Sequence, residues 1–154
     1  MQPASEEDWH HYHRIRSEQI FAHYTHLVYD PHHPTLRDPA HFHFLLKKPD
    51  AVVGVAHVEL LDGNRAALRP FAIDAPYQNK GYGSQFLELV EKWVMHKGRS
   101  TIQLHAKPLA LSFYQRAGYE THPFVETTAE NRDYLERAKI GGASYIDLKK
   151  ILRY

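Results

Sequence analysis

Cysteine is absent, and that absence removes disulfides, thiolate zinc sites and a cysteine nucleophile together. It accords with a reducing compartment, so the cytoplasm is the expected location. An excess of one charge is missing as well. Lys and Arg number 19 against 18 Asp and Glu, a formal net charge of +1, so no long-range field draws the chain to nucleic acid or anionic lipid. Neither is expected as a partner, and any anion site must be local. Long apolar runs are also lacking: the longest, residues 51–58, is interrupted and far short of the roughly 20 residues of a membrane span. Residues 1–8 hold three acids and no basic stretch, so no targeting segment is expected.

What is present suits a globular protein. With 43% hydrophobic and 12% aromatic residues, 154 residues can bury enough apolar surface to offset chain entropy. A single domain over 1–154 is expected, with an N-terminal helical region at 1–40 and a core at 41–154. Ser5 followed by Glu6, Glu7 and Asp8 marks a helix start, and Trp9, Tyr12, Ile15, Ile20 and Phe21 give a broken apolar stripe, which predicts a helix over 6–24. The two prolines in 30–34 predict a turn or extended loop.

From residue 41 the periodicity shortens. Residues 41–46 and 51–61 read as an antiparallel hairpin, and Asp62-Gly-Asn64 turns into a strand over 66–74. Pro70 lies inside that strand and has no amide proton for a ladder bond, so a bulge or splay is expected there. Phe86, Leu87, Leu89, Val90, Trp93 and Val94 then follow helical spacing within 83–97, with Gly98 as the stop. Beyond it the pattern predicts a strand at 101–106, a short helix at 108–117, a strand at 119–125, a polar helical insert at 127–139 and a last strand at 144–152. The expected class is α/β, a mixed sheet with one crossover unit that pairs 66–74 in parallel with 101–106.

The stretch Ile73-Asp-Ala-Pro-Tyr-Gln-Asn-Lys-Gly-Tyr-Gly-Ser84 lies between that strand and the clearest helix. Gly81 and Gly83 let the backbone turn tightly, so amides at a helix N-terminus can converge on a phosphate. Neither a Rossmann fingerprint nor a P-loop is present, since the third Gly and the Gly-Lys-Ser/Thr ending are missing. Gln78-Asn-Lys-Gly-Tyr-Gly83 resembles the Q/R-x-x-G-x-G/A signature of the GNAT N-acetyltransferase superfamily, and Ala110-Leu-Ser-Phe-Tyr-Gln-Arg-Ala-Gly-Tyr119 is similar to its A-x-x-F-Y-x-x-x-G-F segment. The resemblance covers roughly residues 42–150.

That resemblance implies a mostly antiparallel twisted sheet with two splayed parallel strands, flanked by helices. It implies acetyl-coenzyme A as cosubstrate, attacked directly by a primary amine of a small molecule or protein, and it allows a homodimer. Backbone groups of Phe71, Ala72 and Ile73 would hold the pantetheine arm. Those of Gln78, Asn79, Lys80, Gly81, Tyr82, Gly83 and Ser84 would hold the pyrophosphate, with Lys80 adding charge and Arg116 reaching the phosphates. Tyr114 occupies the usual acid position. Histone-acetylating members carry a Glu eleven residues before the motif's first Gln or Arg, and here Ala67 stands in that place. The base is therefore sought elsewhere: alternation puts Val55, His57 and Glu59 on one face of a strand beside the cofactor strand. Glu59 is one candidate base, and His57, with a side chain suited to neutral pH, is an equal one. Lys107 also departs from the family, replacing the Asn often found three residues before Ala110.

The thirteen histidines suggest a rival. His10 with His13, and His41 with His43, are spaced to share a face, as metal ligation requires. No cysteine and no neighbouring carboxylate in sequence completes a coordination shell, and no metal is expected. A non-catalytic acyl-coenzyme A sensor and a His-based metal-binding module remain the alternative readings.

Overall fold

The computed structural model describes residues 2–19, 36, 38–122 and 146–153. Helix α1 spans Glu6–Gln19; the predicted continuation over 20–24, the turn at 30–34 and the insert at 127–139 lie outside the described residues. Strands β1 (His41–Lys48), β2 (Ala51–Leu60) and β3 (Arg65–Ile73) form an antiparallel meander. Helix α2 (Tyr82–His96) crosses over to β4 (Thr101–Ala106). A 3₁₀ turn at Pro108–Ala110 then leads into α3 (Leu111–Arg116), where the sequence predicted one continuous helix. Lys107 is extended before Pro108, and the proline starts the tighter turn instead. Strand β5 is Glu120–Thr121, shorter than predicted within the described residues, and β6 is Ile146–Ile151. The six strands run in the order β1-β2-β3-β4-β6-β5, and β3 and β4 form the parallel pair.

Both faces of the sheet are covered. Phe86, Leu87, Val90 and Val94 of α2 pack on Ala56, Val58, Leu68, Ile102 and Leu104, all nearly inaccessible. On the opposite face Tyr12 and Ile15 of α1 pack on Leu45, Val52 and Val55. Ser5 caps α1: its hydroxyl accepts from the Asp8 amide at 3.0 Å, while the Asp8 carboxylate accepts from the Ala4 amide at 3.0 Å.

Two irregularities position everything that follows. Opposite His57 the register of β3 slips, so that Arg69 and Pro70 together face one residue of β2. This is the bulge that Pro70 led us to expect. The parallel ladder of β3 and β4 runs from Arg65 opposite Thr101 to Leu68 opposite Leu104 and stops there. Beyond it β3 continues against β2 alone and β4 against β6 alone, so the two strands part.

Candidate active site

Past Leu68 and Leu104 β3 and β4 part at their carboxyl ends, the place in α/β sheets where ligand clefts commonly lie. Phe71, Ala72 and Ile73 lie half-buried on the β3 side of this parting. The carbonyl of Ile73 accepts from Gln78 Nε2 at 2.8 Å, and the same amide nitrogen donates to Gln19 Oε1 of α1 at 3.1 Å. Asp74 closes the strand by accepting from the Ala75 amide, and Arg14 of α1 grips its carboxylate with both guanidinium nitrogens, at 3.0 and 3.3 Å. The start of the loop is thus fastened to α1.

The loop then turns through two left-handed residues, Asn79 (φ 62°) and Gly81 (φ 86°). Gly81 is the N-cap of α2, and no side chain caps the helix. The first amides of α2, from Tyr82, Gly83 and Ser84, therefore keep their unspent donors at the positive end of a 15-residue helix. A Cβ at Gly81 would meet nothing within 4 Å, whereas one at Gly83 would lie 3.2 Å from the Phe113 ring. Gly81 is needed for its backbone and Gly83 for its close approach to α3. Lys80 and Arg116 are exposed and have no hydrogen-bond or ion-pair partner among the described residues. Tyr82 is half-buried with its ring edge to Tyr77, and Ser84 is exposed.

Tyr114 is buried, its ring edge-on to Phe113 at 5.0 Å and to Tyr119 at 5.5 Å. Its hydroxyl makes no hydrogen bond among the described residues, and burial pushes the phenol well above its ordinary range, so it stays protonated. Lys107, at the end of β4, is half-buried, and that burial lowers its ammonium.

Glu59 and His57 lie on the α1 face beside the bulge, both nearly inaccessible. Arg69, one of the two bulged residues, donates twice to Glu59 Oε1. The other oxygen, Oε2, lies 3.5 Å from His41 Nε2. His41 Nδ1 in turn lies 2.7 Å from His57 Nε2. His57 Nδ1 is buried without a partner. His57 is held neutral, first by burial and then by Arg16, His43, His41 and Arg69 around it. The next layer is Tyr12, whose hydroxyl accepts from Arg16 at 3.2 Å and is hydrogen-bonded to His43 Nδ1. The structure thus brings the two base candidates into one buried network. It adds His41, His43, Tyr12, Arg16 and Arg69, none of which the sequence placed beside the base candidates. Among the described residues no group of three or more His, Asp or Glu is placed to hold a metal ion.

A family model described as the acetyltransferase (GNAT) family matches residues 7–119. The chain is 30% identical over 78 residues to the uncharacterized protein YyaT of Bacillus subtilis (strain 168), a match over 51% of this chain and 52% of that protein. It therefore spans about half the length of that relative. Among solved structures, it resembles N-acetylglutamate synthase from Neisseria gonorrhoeae complexed with coenzyme A and L-arginine, with a TM-score of 0.72, 14% identity, and coverage of 99% of this chain and 33% of that one. The ribosomal-protein-S18-alanine N-acetyltransferase from Escherichia coli gives a TM-score of 0.67 at 17% identity, over 99% of this chain and 93% of that one. At these identities the structural likeness speaks for the fold.

Proposed function

This chain belongs to the acetyltransferase (GNAT) family, and from that premise we propose that it transfers an acetyl group from acetyl-coenzyme A to a primary amine of a small molecule or protein. The observation that carries the reading is the cleft where β3 and β4 part, set beside an uncapped α2 whose Gly81 is left-handed. Free amides at a helix N-terminus suit a pyrophosphate, and exposed Lys80 and Arg116 supply neighbouring charge. Phe71, Ala72 and Ile73 offer a strand edge that β4 has left, against which an amide-bearing arm can lie. Coenzyme A in the Neisseria structure accords with this use of the fold.

Acyl transfer to nitrogen needs two proton movements: an ammonium must be deprotonated before attack on the thioester carbon, and the departing sulfur needs a donor. Tyr114 would supply the donor. Its phenol, raised by burial, is too weak an acid to surrender its proton early, so it acts first as a hydrogen-bond donor to sulfur as the C–S bond breaks. Either Glu59 or His57 would take the amine's proton. Support for this pair comes from register: Glu59 faces Ala67 directly across β2 and β3, and paired side chains of this kind sit about 5 Å apart on one face. A carboxylate missing from β3 is thus replaced from the neighbouring strand.

Thermal unfolding with acetyl-coenzyme A, desulfo-coenzyme A and zinc tests the reading. At about 100 times the dissociation constant a native-state ligand adds roughly 2.7 kcal/mol, several degrees for a chain of this size. Stabilisation by both coenzymes, followed by amine-dependent release of free thiol, is expected. Binding without thiol release for any amine would favour a sensor. Stabilisation by zinc alone would overturn the proposal.

A further inference from the structure

The path Glu59, His41, His57 has a direction built into it. A carboxylate accepts and never donates, so the atom of His41 nearest Glu59 Oε2, Nε2 at 3.5 Å, carries the hydrogen. A neutral imidazole has one N–H, so His41 Nδ1 is then an acceptor, and the donor across 2.7 Å is His57 Nε2. His57 in turn has spent its one hydrogen, which leaves Nδ1 as a bare lone pair. That is the buried atom without a partner. On this assignment one carboxylate sets both tautomers and leaves a buried basic nitrogen unpaired at the far end of the path.

We propose that His41 and His57 form a two-histidine proton relay anchored on Glu59, in which a proton accepted at His57 Nδ1 comes to rest as positive charge on His41. The proposal rests on the acyltransferase reading for its use, since the incoming proton would be that of the acceptor amine. Every proton is accounted for: one enters at His57 Nδ1, the hydrogen on His57 Nε2 crosses to His41 Nδ1, and Glu59 stays ionised. His57 ends neutral with its hydrogen on Nδ1, and His41 ends doubly protonated beside the carboxylate. Return along the same path resets the site.

The surroundings explain why the charge moves on. His57 is faced by Arg16 and Tyr12 of α1, His41 and His43 of β1, Glu59 of its own strand and Arg69 of β3. Two fixed cations and burial oppose a charge on its ring. His41 instead borders the anion. A buried base that could not hold a proton itself becomes usable because a second ring takes the charge one hydrogen bond away. His41 is a charge-holding, positioning residue, since nothing puts it against substrate.

The test is a long-range ¹H–¹⁵N NMR titration of the imidazoles in the full-length protein from pH 8.5 to 5, with each ring assigned through its own Cβ. At high pH both rings should carry hydrogen on Nε2. On acidification His41 should become doubly protonated while His57 stays singly protonated and moves its hydrogen to Nδ1. A His57 that keeps its Nε2 hydrogen throughout, or takes both hydrogens itself, overturns the relay. In catalysis, His41→Gln should lower kcat about ten-fold and alter the acidic limb of the pH profile, with coenzyme A affinity unchanged. An unaltered kcat and profile would overturn the relay's catalytic use. Failure of the parent protein to bind coenzyme A or release thiol would instead count against the acyltransferase reading, while the resonances still decide the relay.

Discussion

Gly54 lies on β2 directly opposite Ile73, under the part of β3 that borders the cleft. A Cβ built there would sit 2.8 Å from the Ala72 carbonyl oxygen and 2.8 Å from Ile73 Cδ1, with Phe86 at 3.4 Å. The Ile73 methyl can rotate away. The Ala72 oxygen is backbone, and relief requires β3 to move relative to β2. Overpacking of this kind costs about 1–3 kcal/mol, and the smaller unfolded-state entropy of Ala returns about 0.4–1 kcal/mol. Gly54→Ala should therefore lose about 1–2 kcal/mol, or roughly 2–8 °C in Tm. Because the displaced backbone is the cleft edge, coenzyme A affinity should fall with it. Gly98→Ala is the comparison: its φ is +79° but its Cβ would meet nothing within 4 Å, so it should lose stability through strain alone and bind coenzyme A normally. Differential scanning calorimetry and titration calorimetry on both variants decide the matter. Unchanged stability in Gly54→Ala would refute the crowding argument, and lost stability with normal affinity would refute the link between β3 and the cleft.

Three further outcomes are expected. Gly81→Ala keeps a left-handed N-cap without room problems, so it should cost about 1 kcal/mol of stability and weaken coenzyme A binding measured by titration calorimetry, through distortion of the α2 amides. Tyr114→Phe should reduce thiol release about ten-fold while leaving coenzyme A affinity intact, because only the developing thiolate loses a donor. Stability should fall in acid: His57 is held neutral when folded, whereas the unfolded ring protonates near its ordinary 6.5. Below that pH the unfolded state therefore binds one more proton, and stability drops by about 1.4 kcal/mol per pH unit. Urea midpoints at pH 8 and 5.5 should show a shallower loss in His57→Gln.

The backbone of the candidate site was legible in the sequence, and so were single side chains such as Glu59 and His57, but the network that joins them was not. Gly81, Gly83 and Pro70 each announce a local backbone geometry, and the tight turn into α2 and the bulge followed from them. The buried network depends on cross-strand register instead. Counting back from the two-residue turn at Pro49 and Asp50, with Lys48 opposite Ala51, pairs His43 with Ala56 and His41 with Val58. The slip between Leu46 and Lys47 moves the pairing by one residue, to His43 with His57 and His41 with Glu59. A one-residue slip exchanges the faces of a strand, and nothing in residues 44–48 signals it as Pro70 signals the other bulge. Histidines that looked scattered along the chain were thus brought together by an irregularity that sequence spacing hides.

Helix α1 shows the same division from the other side. Its apolar stripe is thin: Tyr12 and Ile15 are its inaccessible apolar residues, and Asp8 and Arg16 are buried beside them. A helix so polar is not held by its apolar face alone. Its charges and amides have named partners: Asp8 with Ser5 and Lys47, Arg14 with Asp74, Arg16 with Tyr12 and through it His43, and Gln19 with Gln78. Apart from the Ser5 cap and the Arg16–Tyr12 bond inside the helix, these reach across to β1, to the end of β3 or to the loop ahead of α2. Apolar packing would tolerate a helix that slides or rotates by an ångström, but directional bonds to the loop ahead of α2 at one point and to the histidine network at another do not. The polar composition that weakens α1 as a sequence signal is therefore what fixes its position relative to both halves of the site.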